Sequence, residues 1–319
     1  MLTAYDDRFR RVDDLGAATW IDVLDPTEAE NAAVQAATGL HVASRAELSE
    51  IESSSRLGSE DGALFLSMPL AIHVYADDAH SSPLGFVLTR DRLLTIRFET
   101  SRAFDAFVQQ ATRGEMQGHG GPHVFVALLE LIVDRLADVL EHIRDNLDGS
   151  SRLIFTSTMA TGRRPRAEDK MLRALLTTIG RNGDLISEIR DSLLGIARIV
   201  PFTEHLGAAW LDQDLHERLR TVRQDVASLS DYDAHLTNKL QFLLDATLGF
   251  INIAQNNIIK VLTVVSVVGI PPTLVASIYG MNFKSMPELN WAFGYPYGLA
   301  MIVLTAILPL VVFRIRGWI

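Results

Sequence analysis

The chain has 319 residues, no cysteine, and a formal net charge of -10 from 39 acidic and 29 basic side chains. That balance excludes a nucleic-acid partner, because phosphate binding needs clustered Lys and Arg, and makes small cations the natural companions. The lack of Cys excludes disulfides, thiolate catalysis and Cys-type zinc or iron-sulfur sites.

The N-terminus, Met1-Leu2-Thr3-Ala4-Tyr5-Asp6-Asp7, has neither the basic stretch nor the apolar core of a secretory signal, so the bulk of the chain is expected in the cytosol. Runs rich in Val, Ile, Leu, Phe and Thr at Ala18–Asp25, Leu64–Val74 and Pro83–Phe98 read as strands. Thr27 is placed to cap a helix and Glu30 to close a capping box with it. These elements predict an α/β domain over 1–121, ending in the Gly-rich stretch Gly114 to Gly121. Beyond Pro122, Val124, Leu128, Leu131, Ile132, Leu136, Val139, Leu140 and Ile143 recur at helical steps. A second helix reads from Ala167 to Ile199, after a Gly-Arg-Arg-Pro-Arg turn, and the two are expected to pair as an antiparallel helical hairpin over 122–203.

Ala208 to Ile270 contains no proline and reads as one very long stalk helix of roughly 90 Å, with 204–259 as its cytosolic part. A rod of that length cannot bury its apolar face within one subunit, so partner helices from sister copies are implied. No charge occurs between Lys260 and Lys284, or between Glu288 and Arg314. Each gap exceeds the roughly 20 residues needed to cross the bilayer core. This predicts an integral membrane protein with transmembrane helices at 260–283 and 297–319, the latter including the basic C-terminus, joined by an outer loop at 284–296. Lys260, Arg314 and Arg316 put both termini in the cytosol, with the helices in the cell inner (plasma) membrane. Trp291, Phe293, Tyr295 and Tyr297 then lie at the outer interface.

The second span, Leu299 to Phe313, is almost uniformly aliphatic and suits contact with the lipid bilayer. The first carries Thr263, Ser266, Thr273 and Ser277, which share one face with Asn256, Ile259, Ile270 and Gly280. Such a stripe serves either close helix packing or the lining of a wet pore; spacing alone favours packing and leaves both open.

Past the first span come Tyr279-Gly280-Met281-Asn282-Phe283, then Met286-Pro287-Glu288-Leu289 and Trp291, and these resemble the signature loop of the CorA family of magnesium and cobalt transport proteins. The resemblance extends back through Ile270-Pro271-Pro272-Thr273 to Lys260 and forward to the basic C-terminus. It implies a homopentamer in which five long helices form a funnel, the first spans line the pore and the second surround them. Gly280, Met281 and Asn282 then form the selectivity filter. Asn256, Ile259, Leu262, Thr263, Ser266, Ile270, Thr273 and Ser277 line the pore, the apolar rings Ile259, Leu262 and Ile270 gating by dewetting. Ile259 and Ile270 stand where the family often has methionine, which bears on pore width.

An uncharged ring of Asn282 carbonyls suits Mg²⁺, which dehydrates reluctantly and is bound through its waters, with the Gly280 and Met281 carbonyls adding acceptors. Gly280 is expected to let the chain turn tightly where the helix stops. Mg²⁺ is thus cargo and, by the resemblance, also a regulator bound by carboxylates between neighbouring soluble domains. Glu60 and Asp61 are candidates for that contact, with Thr221 where a partner Asp is expected and Asp225 one turn further on. The residues alone favour solvated surface carboxylates.

The resulting function is a channel-type transporter driven by the electrochemical gradient, chiefly for Mg²⁺ and open to Co²⁺ and Ni²⁺. The related zinc-transporting branch is the first alternative, disfavoured by Tyr279 and Met286-Pro287-Glu288-Leu289; a membrane-tethered binding or signalling module without a pore is the second. No phosphate loop, Ser/His/Asp spacing or organic-cofactor motif points to an enzyme. His119 and His123 have metal-compatible spacing but no third ligand in sequence, which reads as incidental.

Overall fold

The computed structural model describes residues 1–50, 56–76, 78–114, 118–157, 165–282, 286–287 and 291–318. The Gly162-Arg163-Arg164 turn and the loop residues Phe283, Lys284, Glu288 and Leu289 lie outside the described residues. Two compact units form, Met1–Leu244 and Asp245–Ile319.

The first unit is built on a seven-stranded sheet in the order β2-β1-β3-β7-β6-β5-β4. The strands are β1 (Leu2–Tyr5), β2 (Arg11–Val12), β3 (Trp20–Leu24), β4 (Leu57–Glu60), β5 (Ala63–Ile72), β6 (His80–Leu88) and β7 (Leu93–Arg97). Only β3 and β7 pair in parallel; every other pairing is antiparallel. Both faces of the sheet are covered, so its strands read as nearly continuous apolar runs. The run at Pro83–Phe98 is therefore two strands, folded back at Thr89–Arg92, where the Thr89 amide donates to the Arg92 carbonyl at 3.0 Å. Pro69 and Pro83 face each other across β5 and β6. β4 ends before Pro69 and β7 before Pro83, so neither missing N–H is needed by a further strand.

One face of the sheet packs Ile21, Val23, Ala63, Val87, Leu94 and Ile96 against Val34, Val42 and Leu48. Val34 comes from α1 (Glu28–Thr38), which starts with the expected Thr27/Glu30 capping box, and Leu48 from α2 (Arg45–Leu48). The other face carries Trp20 and Phe86, which meet Phe107 of α3 (Arg102–Thr112) and Phe125 of α4 (Gly121–Ser157) edge-on at 5.1 and 5.3 Å. The next helix, α5 (Pro165–Leu206), lies on β5. Its approach needs Gly195, since a Cβ there would stand 2.6 Å from the Met68 Cβ.

The long helix, α6 (Gln213–Tyr279), has 67 residues and starts where the Asp212 carboxylate accepts from the Leu215 amide at 2.8 Å. Within the first unit, Leu215, Leu219, Val222, Val226, Leu236 and Leu243 are buried at heptad-like steps. Side chains tie this stretch to α4 and α5: Arg218 forks onto Glu130 at 2.9 and 2.6 Å, Arg190 meets Asp233 at 2.7 Å, and Phe155 stacks on Phe242 at 6.1 Å. For this part of the rod the chain's own hairpin covers the apolar stripe, so its length does not by itself require sister copies.

In the second unit α6 continues through Pro271 and Pro272 to Tyr279, and α7 spans Gly294–Ile315. Each proline removes an N–H from the helix ladder, leaving the carbonyls four residues back, of Val267 and Val268, without that donor. Both helices contain stretches long and apolar enough to cross a membrane.

Candidate functional site

Counted at one residue per 100°, Asn256, Ile259, Leu262, Thr263, Ser266, Ile270, Thr273, Ser277 and Gly280 fall within about 120° of the α6 circumference. Most of the half-covered residues, Val264, Val268, Pro271, Pro272, Val275 and Tyr279, centre on the opposite side, with Thr263 and Ser266 the half-covered ones on the polar face. On α7 the half-covered positions Met301, Ile302, Thr305, Ala306, Pro309 and Phe313 also form one stripe. The two stripes are what an antiparallel helix pair covers, so α6 turns its polar face away from α7. Lys260 lies 5.9 Å from the Trp318 ring, which brings the start of the apolar stretch of α6 beside the residue that follows Arg314, Arg316 and Gly317. At the other end Trp291 meets Tyr297 edge-on at 5.9 Å.

The polar face is open. Ile259, Leu262 and Ile270 are 52%, 65% and 63% exposed, large values for aliphatic side chains. Asn256, Thr273 and Ser277 are exposed as well, while Thr263 and Ser266 are half-covered. Val265, Ser266, Gly269, Ile270, Thr273 and Ser277 help line a shallow groove of about 540 Å³. The Thr263 and Thr273 hydroxyls donate to the Ile259 and Gly269 carbonyls, each at 2.8 Å. Their protons are thereby satisfied within the helix, and what they present outward is oxygen lone pairs, which suit a cation or its waters.

The helix stops after Tyr279. The Gly280 amide donates to the Ala276 carbonyl at 2.9 Å and the Met281 amide to the Ile278 carbonyl at 3.3 Å. Gly280 does not adopt positive φ. Glycine matters there through space: a Cβ would come 3.1 Å from the Ala276 oxygen. Asn282 follows outside the helix and is exposed.

The regulatory candidates are not brought together within the chain. Glu60 closes β4, and Asp61-Gly62 forms the turn to β5 with φ of 48° and 78°. Positive φ at both central residues is the hairpin geometry that Asp-Gly favours, which accounts for Asp61 without a metal. Among the described residues Glu60, Asp61 and Asp225 do not form a group of close ligand atoms. Asp225 instead belongs to a patch that sequence reading missed, with Glu130, Asp134 and Asp138 of α4. The Asp134 carboxyl is held above its ordinary range, by burial first and then by Asp138, Glu130 and Asp225, with Arg135 opposing. The step of four along α4 was the available signal, but the partner helix was not legible.

His119 pairs with Asp7 at 3.1 Å, while His123 faces Asp212 at 3.5 Å, with Asp214 close by. The two carboxylates lie at the start of α6, where the helix dipole favours acidic residues and where Asp212 caps the helix.

Residues 16–315 match the family model described as CorA-like Mg²⁺ transporter protein. The chain is 34% identical over 306 residues to the magnesium transport protein CorA of Yersinia pseudotuberculosis, covering 96% of this chain and 93% of that protein. Against its Escherichia coli K12 counterpart of the same name it is 34% identical over 301 residues, 94% of this chain and 92% of that one. In three dimensions it resembles the complete CorA magnesium transporter of Methanocaldococcus jannaschii, with a TM-score of 0.78 at 21% identity, covering 100% of this chain and 99% of that one. The full-length CmaX protein is similar in fold as well, with a TM-score of 0.71 at 17% identity over 99% and 97% of the two chains.

Proposed function

The chain belongs to the CorA-like Mg²⁺ transporter family, and we propose that five copies gather the Asn256–Asn282 face of α6 around one axis to form a Mg²⁺ channel. Membership makes it a membrane transporter and not an enzyme, and Mg²⁺ its substrate. One observation carries the pore reading. The polar stripe of α6 points away from α7, so an isolated chain turns to its surroundings hydroxyl oxygens and the Asn256 amide beside exposed Ile259, Leu262 and Ile270, a mixed face that sister copies around one axis would cover.

In this reading Asn282 carbonyls from each copy meet the hydrated ion at the outer mouth, with the Gly280 and Met281 carbonyls behind them. Neutral amides hold the ion through its waters and let it leave, whereas carboxylates would bind too tightly for conduction. Deeper in, rings of Thr273, Ser266, Thr263 and Asn256 alternate with Ile270, Leu262 and Ile259, and the apolar rings close the path by expelling water. With Lys260, Arg314 and Arg316 on the cytosolic side, both termini are cytosolic and the cation moves inward down the membrane potential. That gains about 4.6 kcal/mol per 100 mV for a divalent ion. Co²⁺ and Ni²⁺, similar in size and geometry, are further cargo. Cytosolic Mg²⁺ closes the channel by binding between soluble units of adjacent copies, Glu60 and Asp61 of one approaching Asp225 of the next.

The test is ion flux into liposomes holding the purified protein, compared for Mg²⁺, Co²⁺ and Zn²⁺. Mg²⁺ flux is expected to exceed Zn²⁺ flux and to fall at least about tenfold in Asn282→Ala, from the weight of one ring of ion contacts. Zn²⁺ uptake exceeding Mg²⁺ uptake would favour the zinc-transporting reading. A single copy per particle in bilayers would remove the pore altogether.

A further inference from the structure

In the first unit a cavity of about 450 Å³, a common size for small-molecule sites, is lined by residues that follow β5 and by the start of α3. β5 and β7 both pair antiparallel with β6, so they run in the same direction and their carboxyl ends meet at one edge of the sheet. Open α/β sheets bind ligands at that edge, where a helix start follows a strand end. Here β7 leads through Thr100 and Ser101 into α3, and Ile132, Leu136 and Val139 supply an apolar floor.

Three features point to an anion. The first-turn N–H groups of α3 have no partners within the helix and carry the positive end of its dipole. Ser101, at the cap position, is only 9% exposed, yet its hydroxyl caps no backbone N–H. Among the described residues that side chain has no hydrogen-bond partner, although a cap serine ordinarily accepts from the helix it starts. It lines the cavity with a free hydroxyl.

Two arginines share the wall. Arg102 lies 5.5 Å from the centre of the Tyr75 ring, and Arg135 makes one exposed pair with Asp138 at 3.3 Å, a contact of the kind that is worth little. His73 is occupied by Asp78 at 3.0 Å. Asp105, also on the wall, opposes an anion. Counting half a charge for the helix start, the two arginines less Asp105 and Asp138 leave about +0.5, a net positive wall of the sign an anion needs.

We propose that this cavity binds a small organic phosphate, with the phosphate at the start of α3 between Arg102 and Arg135 and the apolar or planar body on the floor beside Tyr75. The site belongs to the first unit alone and is independent of the pore. Calorimetric titration of the full-length protein in detergent, with EDTA present to exclude metal-bridged binding, tests it using AMP, adenosine and inorganic phosphate as probes. AMP is expected to saturate at a submillimolar constant and to bind more tightly than either other probe. Arg102→Ala and Arg135→Ala are each expected to weaken it at least about tenfold, and Ser101→Ala by less. The proposal is overturned if AMP fails to saturate by about 10 mM, or if adenosine or phosphate alone binds as well. Unchanged AMP binding in both arginine variants, with circular dichroism intact, overturns it too.

Discussion

Replacing Arg190 by Leu separates a buried charge from its cationic partner. Asp233 is 2% exposed on the heptad seam of α6, with Oδ2 held by Arg190 at 2.8 and 2.7 Å and Oδ1 buried without a partner. Breaking such a pair costs about 3 to 5 kcal/mol when the remaining carboxylate stays ionised. The Arg190 side chain is 44% exposed, so water already screens the pair and the lower end, about 3 kcal/mol, applies. In a unit of this size that corresponds to a melting point lower by about 6 to 12 °C.

The pH dependence separates this cause from lost packing. Burial raises the Asp233 carboxyl above its ordinary value and Arg190 pulls it back, so Arg190→Leu raises it further. A carboxyl raised in the folded state keeps its proton where the unfolded chain has lost it, so the penalty is absent below the ordinary carboxylate range. It grows as pH rises through the raised value. The deficit, read by circular dichroism melting at a fixed scan rate, should be largest at neutral and alkaline pH and shrink towards pH 4. Arg190→Leu with Asp233→Leu should recover to within about 1 kcal/mol of the parent, because an apolar pair replaces an ion pair on the seam. An equal deficit at every pH, or a double variant as unstable as the single one, would refute the reasoning.

Gly195→Ala drives a Cβ into Met68 at 2.6 Å and should cost about 1 to 3 kcal/mol in the same melting assay, with α5 lifted from the sheet. Asp134→Asn should stabilise the protein at neutral pH, the gain vanishing on acidification, because its raised carboxyl makes the ionised form the unfavourable one; melting across pH reads this directly. Leu262→Asn and Ile270→Asn should each raise resting Mg²⁺ flux in liposomes by wetting an apolar ring with a neutral amide, and unchanged flux in both would end the gate assignment.

The capping box of α1, the helical period after Pro122 and the two uncharged stretches were legible because each depends on neighbours within a turn or two of chain. The signature around Gly280-Met281-Asn282 was legible for the same reason. β1, β2 and β4 were not, since two- to four-residue strands show no period of their own and exist only through the pairing that a longer strand offers. The split at Thr89–Arg92 was hidden by apolar runs on both sides of the turn, which a sheet covered on both faces produces.

The sequence by itself determined where the apolar helices lie and that one of them carries a polar stripe, because hydropathy and helical spacing are properties of consecutive residues. It left open whether that stripe packs or faces a pore. Only the tertiary structure decided that α7 covers the opposite side, and that the hairpin of α4 and α5, not a sister copy, buries the first half of α6. Which of several apolar faces finds which partner depends on contacts between residues tens of positions apart, and no local period encodes that choice.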